Sequence, residues 1–395
     1  MFDHVVLRRA NGGQLVSAGQ IAEALLFYQK VHLVIDRGTL LRLVKQIGTP
    51  QVMALLQRSD FSAVYCEEIL GTRTDSVGAF QIHNLVAFTV SGDQSARQLK
   101  TAEDRLRFDF ERAGLPKPEA RRFTKAFLDR VPVRRFSGNH FIDGGIIAAA
   151  KRDVLDAEYT TEAVRRMLEV IPGGYAAGQE LKFDVIESKL GINIFSNVDF
   201  EVINRRRAVS SVPEDPLTPA HLLSNILEAR ADLALASFYG GDFVTSASAS
   251  AIIQVRYAEL MRRSALNTTS LRQFVEVVLP DTRTVSEVID AGERTFSEFL
   301  VLLDKAARFK SWTKAVNPDE NLVRTYVRDI SSEGWIQRLP QKSMRYAFTL
   351  AMDASHPVAG MVAGFVDNFV LEKLLSGWRP NHFIATRLQP FVTPR

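Results

Sequence analysis

Apolar and polar residues alternate over several short stretches in the N-terminal part of the chain. This period of two is typical of strands, because successive side chains of an extended backbone point to opposite faces. Strands are therefore predicted at 5–7, 31–35, 63–66 and 80–90. Between them, apolar residues recur every three or four positions, as at Leu40, Leu43, Val44 and Ile47, which predicts helices. The first region is expected to combine small sheets with helices.

After residue 94 the apolar spacing becomes mainly helical. Leu99, Leu106 and Phe110 share a helical face with Glu103, and Phe123 with Phe127 continues the pattern in a second helix. Strand patterns return at 141–142, 181–185 and 192–202. A glycine at 191 separates the last two stretches, so these are expected to form a hairpin.

The clearest boundary is a stretch that contains Pro213, Pro216 and Pro219 and has no periodicity. Downstream, Thr218-Pro219 and Asn317-Pro318 place a helix-capping residue before a proline in the first helical turn. The expected fold class is α+β, with a mixed α/β N-terminal half that has small sheets and an all-α C-terminal domain. The predicted division is 1–94 as a small α/β region, 95–207 as a helical segment with a β-hairpin, 208–218 as a linker, and 219–395 as the helical domain.

Composition excludes several classes of protein and indicates a compartment. With 46% hydrophobic and 24% charged residues in 395, the chain is neither disordered throughout nor a disulfide scaffold, and Cys66 is its single cysteine. Asp3, His4, Arg8 and Arg9 leave no room for the apolar core of a signal peptide, and no run of about 20 apolar residues follows. A cytoplasmic protein without a constitutive membrane span is expected. Its oligomeric state is left open.

Charge changes this picture because the basic excess is local. Between Arg97 and Arg135 there are twelve Lys and Arg and six Asp and Glu, so this span carries +6 and the rest −2, which sum to the net +4. Arginine-rich helices suit phosphate groups, which guanidinium binds with two hydrogen bonds. A solvated helix face with internal ion pairs, such as Glu103 with Arg107, is the alternative. The residues assigned to binding are Arg105, Arg112, Arg121, Arg122, Lys125, Arg134 and Arg135.

Motifs of common catalytic sites do not occur in the sequence. The chain has no GxxxxGK[ST], GxGxxG, HExxH, CxxC or GxSxG pattern, so a P-loop, common zinc sites and a hydrolase nucleophile elbow are disfavoured. The residues therefore leave open whether the protein is an enzyme.

One acidic and basic pattern still suggests catalysis. Glu187 and Lys189 lie two residues apart and would share one face of a strand, and Asp184 and Asp143 precede them. Nucleases of the restriction-endonuclease type use an ExK pair with an upstream aspartate to hold a divalent metal that activates water. In this reading Asp143, Asp184, Glu187 and Lys189 are catalytic, and Asp143 with Glu187 would bind Mg²⁺ or Mn²⁺. Otherwise no cofactor is expected.

The ExK pattern has competing readings. Glu180 and Lys182 match the same spacing, and about 1.5 such pairs (13 × 45/395) are expected by chance from the 13 lysines and 45 acids in 395 residues. Lys189 also borders the predicted hairpin turn, where an exposed lysine discourages strand aggregation.

Three functions follow from these patterns. The first is recognition or assembly, in which segment 97–135 contacts an anionic macromolecule, with nucleic acid as the expected partner. The second is a metal-dependent phosphodiesterase or nuclease built on the Asp and ExK residues. The third is conditional membrane engagement by a helical hairpin at 346–375, the most apolar stretch of the chain.

Overall fold

The fold class is α+β, as predicted from the sequence. The computed structural model describes residues 2–9, 14–78, 80–89, 99–174, 180–209, 216–279, 282–316, 322–323, 325–326 and 380–393. The predicted cap at Asn317-Pro318, the basic residue Arg97 and the segment 346–375 lie outside these ranges.

The described residues form strands and helices throughout. The strands are β1 (His4–Arg8), β2 (Lys30–Ile35), β3 (Phe61–Tyr65), β4 (Glu68–Val77), β5 (Phe80–Thr89), β6 (Phe183–Ser188), β7 (Gly191–Ser196) and β8 (Asp242–Phe243). The helices are α1 (Ala18–Phe27), α2 (Arg37–Leu56), α3 (Ala102–Arg112), α4 (Lys117–Leu128), α5 (Ile146–Leu155), α6 (Ala157–Val170), α7 (Phe200–Ala208), α8 (Pro219–Tyr239), α9 (Ala247–Val278), α10 (Val285–Asp290), α11 (Phe296–Asp304) and α12 (Ala307–Ala315). A C-terminal segment contains α13 (Pro380–Phe383), a π-helical turn (Ile384–Leu388) and α14 (Gln389–Val392).

The first sheet is parallel and has the strand order β3-β2-β1-β8. Strands β1, β2 and β3 are joined by α1 and α2, whose N-termini are capped by Ser17 and Asp36. Helix α2 is interrupted at Gly48, whose φ of 79° lies outside the helical region, and the helix resumes near Pro50. Strand β8 lies in the C-terminal half of the chain, where only helices are predicted, and it pairs with β1.

The second sheet is antiparallel and has the order β4-β5-β7-β6. The hairpin predicted around Gly191 is confirmed, with Val185 opposite Ile194. Strand β4 was not predicted, because Arg73 and Asp75 on its exposed face remove the apolar alternation. His83 on β5 is buried, and its Nδ1 lies 2.9 Å from the Thr74 hydroxyl.

Two of the predicted strand positions are wrong. Phe141 and Ile142 lie in a bend before α5, where Phe141 packs against Phe136 with ring centroids 5.8 Å apart. The strand predicted to run to residue 202 ends at Ser196, because the Asp199 side chain accepts a hydrogen bond from the Val202 amide and starts α7.

The first sheet separates two hydrophobic cores. Leu7, Leu33 and Ile35 point into one core with α1, α2 and α10–α12, while Val6 and Val34 point into the other, with α5, α6, α8 and the second sheet. Each core contains residues from before and after the predicted linker. The division into four segments stays a prediction, and residues 210–215 of the linker lie outside the described ranges. The predicted helix start at Thr218-Pro219 is confirmed.

Candidate functional site

The predicted basic segment forms a helical hairpin, α3 and α4, packed on the edge of the first sheet. Thr101 caps α3 by accepting a hydrogen bond from the Asp104 amide at 3.0 Å. Phe110 and Phe123 join the two helices edge to face, with ring centroids 5.1 Å apart, and Phe127 packs on Tyr65. This aromatic packing turns the opposite face of α4 toward solvent.

The solvent face of α4 carries positive charge that is not balanced within the described part of the chain. Arg121, Arg122 and Lys125 are exposed, and no carboxylate among the described residues pairs with any of them. The acid inside the helix, Glu119, is half-buried and accepts a hydrogen bond from the Thr49 hydroxyl at 2.9 Å. It is thereby directed toward α2 and away from the three cations.

Other cations of the same hairpin are committed to internal ion pairs. Arg105 binds both carboxylate oxygens of Glu67, at 2.9 and 2.5 Å, and also donates to the Leu99 carbonyl. Arg107 pairs with Asp104 at 3.0 Å, and not with Glu103 as the spacing of four residues predicts. Arg105 and Arg107 of α3 therefore fit the alternative of internally paired charges. The exposed cations of α4 do not, because no carboxylate among the described residues pairs with them.

The remaining predicted binding residues lie at the ends of the hairpin. Arg112 is exposed in the last turn of α3, and Arg135 is exposed just after α4. Arg134 is half-buried, and its amide donates to the Tyr65 carbonyl at 2.9 Å, beside the bridge between Val133 and Tyr65. The chain that leaves α4 therefore runs along β3 before it turns away.

The residues predicted for a nuclease site are placed on separate local features. Asp143 is exposed in a turn before α5, and Asp184 lies on β6 with its side chain exposed. Glu187 lies three residues after Asp184 on β6. Because this separation is odd, the two side chains leave the strand on opposite faces. Lys189 follows the last residue of β6, so the expectation that Glu187 and Lys189 share a strand face is wrong.

Glu187 instead has a different cationic partner. Its carboxylate pairs with the Lys151 ammonium of α5 at 2.5 Å, and both side chains are about half exposed. Among the described residues, no group of three or more His, Cys, Asp or Glu side chains is arranged to hold a metal ion. The nuclease hypothesis stays a prediction that none of this geometry favours.

A small cavity that the sequence analysis missed lies where β1, β2 and β3 end. Its volume is about 80 Å³ and its lining includes Arg8, Asp36, Cys66, Glu68 and Glu228. The carboxyl ends of parallel strands are where α/β sheets commonly bind ligands, and Arg8 and Asp36 could have been found because each directly follows a predicted strand.

The charges around this cavity already have partners in the protein. Arg8 pairs with Glu228 at 2.7 Å and with Asp232 at 2.6 Å, and all three side chains are at least nine-tenths buried. Glu68 accepts hydrogen bonds from the amide and hydroxyl of Ser137. Burial raises the pKa of the Cys66 thiol to about 12, so Cys66 is not a thiolate nucleophile. These ion pairs and hydrogen bonds around the cavity therefore hold the ends of the strands in place.

The candidate site contains no membrane-spanning element within the described ranges. In that part of the chain, none of the helices combines the length and apolar character needed to cross a bilayer. The hairpin predicted at 346–375 lies outside the described residues, so conditional membrane engagement stays a prediction.

Comparison of the chain with protein-family models, curated proteins and solved structures gives no match.

Proposed function

We propose that the protein binds nucleic acid in the cytoplasm through the solvent face of α4. The observation that supports this is the set of exposed cations, Arg121, Arg122 and Lys125, without an ion-pairing carboxylate among the described residues. Side chains one helical turn apart lie about 5–6 Å from each other, so the three charges form one compact patch. Such a patch can contact successive phosphates and release their counterions.

The contacts of individual side chains change the set of residues that we assign to nucleic-acid binding. Arg105 is left out, because binding a phosphate would require breaking its two hydrogen bonds to Glu67. Lys117 is added, because it is exposed one turn before Arg121 on the same face. Arg112 and Arg135 extend the patch at its two ends.

Recognition of this kind depends on the phosphate backbone and carries little information about base sequence. Phosphates bound by arginine and lysine give an affinity that falls steeply as the salt concentration rises. A binding or assembly role needs only these exposed cations, whereas hydrolysis of a phosphodiester would also require a group placed to activate water.

The triple variant Arg121→Ala, Arg122→Ala, Lys125→Ala tests the proposal. We expect the slope of log K against log salt concentration to become shallower by about 2 to 3, because each lost phosphate contact removes about 0.7–0.9. The measurement is fluorescence anisotropy of a labelled oligonucleotide at four salt concentrations. Stability should be nearly unchanged, since exposed side chains contribute little.

A charge-matched control separates a local effect from loss of net charge. The variant Arg152→Ala, Arg272→Ala, Lys305→Ala also removes three exposed cations, but from α5, α9 and the end of α11. We expect it to keep the wild-type salt slope. If both triple variants lose the same affinity, or if the wild type shows no salt-dependent binding, the proposal is wrong.

A further inference from the structure

An aromatic cluster lies at the C-terminal end of α8, close to the end of the basic hairpin. Phe238 packs edge to face against Tyr239 and against Phe141, with ring centroids 4.9 and 5.7 Å apart. Tyr239 stacks in turn on His32 of β2, with centroids 3.5 Å apart and an angle of 23° between the rings. The position of each ring is therefore fixed by another ring.

The outermost ring of this cluster is unusually accessible. Phe238 is 51% exposed, whereas Phe141 is 6% exposed and Tyr239 is half-buried. The planes of Phe141 and Tyr239 are nearly perpendicular to Phe238, at 86° and 82°. These contacts hold the exposed ring in one orientation, so little side-chain entropy remains to be lost when a flat ligand stacks on it.

The layer beneath the cluster is neutral and rigid. His32 Nδ1 lies 2.7 Å from the Ser62 hydroxyl, and burial lowers the pKa of His32 to about 4. The imidazole is therefore uncharged at neutral pH and supports the Tyr239 ring as an aromatic plate.

Two connections join the cluster to the basic segment. The Arg135 amide donates to His140 Nδ1 at 2.8 Å, and His140 packs edge to face on Phe141. Burial raises the pKa of Tyr239 to about 12, while the charge of the nearby Arg134 acts to lower it. The chain that follows α4 therefore meets the cluster at His140 and Tyr239, beside the ring of Phe238.

We infer that the nucleic acid bound by this protein is single-stranded, with one base stacked on Phe238 while the flanking phosphates contact Arg134, Arg135 and α4. This inference rests on the proposed function. Only a single strand offers free base faces to an aromatic side chain, because a duplex stacks its bases internally. A surface that combines cations with a rigid exposed ring therefore distinguishes the two forms, whereas the cations alone would bind both.

The substitution Phe238→Ala tests the inference on the full-length protein. We expect binding of a labelled single-stranded thymidine 20-mer to weaken roughly 5- to 100-fold, the range seen when one stacking aromatic is removed. The salt slope should stay at the wild-type value, because no phosphate contact is lost. Phe238→Trp should restore binding, and the control Val301→Ala, which removes another exposed apolar side chain, should bind as the wild type does.

A duplex of the same length serves as the competing ligand. The wild type should bind it at least tenfold more weakly than the single strand at equal salt, and Phe238→Ala should reduce this preference. Equal loss on both ligands, or no loss on the single strand, overturns the inference. If the α4 triple variant reduces the salt slope while Phe238→Ala binds normally, the proposed function stands and only the stacking site is rejected. If the triple variant has no effect, the proposed function itself fails.

Discussion

Replacing Arg8 with alanine is expected to lower the free energy of unfolding by about 3–5 kcal/mol, the usual cost of removing one partner from a buried ion pair. Arg8 lies at the end of β1 and pairs with Glu228 and Asp232 of α8, and the three side chains are 8%, 3% and 3% exposed. Without the guanidinium, two carboxylates would remain buried together. Denaturant unfolding followed by circular dichroism measures the change.

Two further variants make this result interpretable. The triple variant Arg8→Met, Glu228→Met, Asp232→Leu removes all three charges while it keeps similar volumes, and it should regain most of the lost stability, since a buried ion network replaced as a whole by apolar residues costs little. Arg73→Ala breaks an exposed pair with Asp75 and should change stability by less than about 1 kcal/mol. A loss in the neutral triple variant as large as that in Arg8→Ala would assign the effect to packing and not to charge.

Replacing Glu23 with glutamine is expected to stabilise the protein at pH 8 by roughly 1–3 kcal/mol and to have little effect near pH 4.5. Glu23 lies on α1 where it packs against α10. Its burial, together with the negative charge of Glu287, raises the pKa of the carboxyl group to about 7 from the ordinary 4.5, although the Ser286 amide acts to lower it. The folded protein therefore binds a proton here that the unfolded chain has already released.

The sign of the pH dependence follows from this difference. Between pH 4.5 and 7 the folded state holds more protons at Glu23, so the contribution of this group to stability is complete below pH 4.5 and is lost as pH rises to about 7. The stability difference between Glu23→Gln and wild type should thus grow across this window and then level off. Chemical unfolding at five pH values measures it, with Glu180→Gln, a substitution of an 80% exposed glutamate, as the reference. A difference that does not change with pH would contradict the assigned cause.

The local features of the fold were predictable because they depend on neighbouring residues. The parallel strands β1 to β3 follow from alternation, and the start of α8 follows from Thr218-Pro219. The failures occurred where a distant contact decides the outcome. Strand β4 forms although its sequence is largely polar, because Leu70 and Thr72 on its inner face pack toward α8 and its outer face meets solvent.

The candidate site was likewise predictable where neighbouring residues decide it and not where a distant contact does. Sequence alone located the basic segment, but it could not separate Arg105 from Arg121, since both are arginines on predicted helices. The difference arises from Glu67, which lies 38 residues before Arg105 and reaches it only because β3 ends there. Phe238 carried no signal either, because an aromatic residue near the end of an amphipathic helix is usually buried. Its exposure depends on where α8 stops, at Gly240 in the left-handed conformation with φ 67°.

The pairing of β1 with β8 has a consequence for how the chain folds during synthesis. Val5 pairs with Asp242, and each core combines early residues with residues that follow position 216. The first strands therefore leave the ribosome long before their last neighbour exists, and contacts of such high sequence separation form slowly. Until then, an unfinished sheet edge and half of each core remain open to other nascent chains. A fragment that ends at residue 207 should aggregate on expression, and the full-length chain should depend on chaperones that shield it until α8 and β8 have been made.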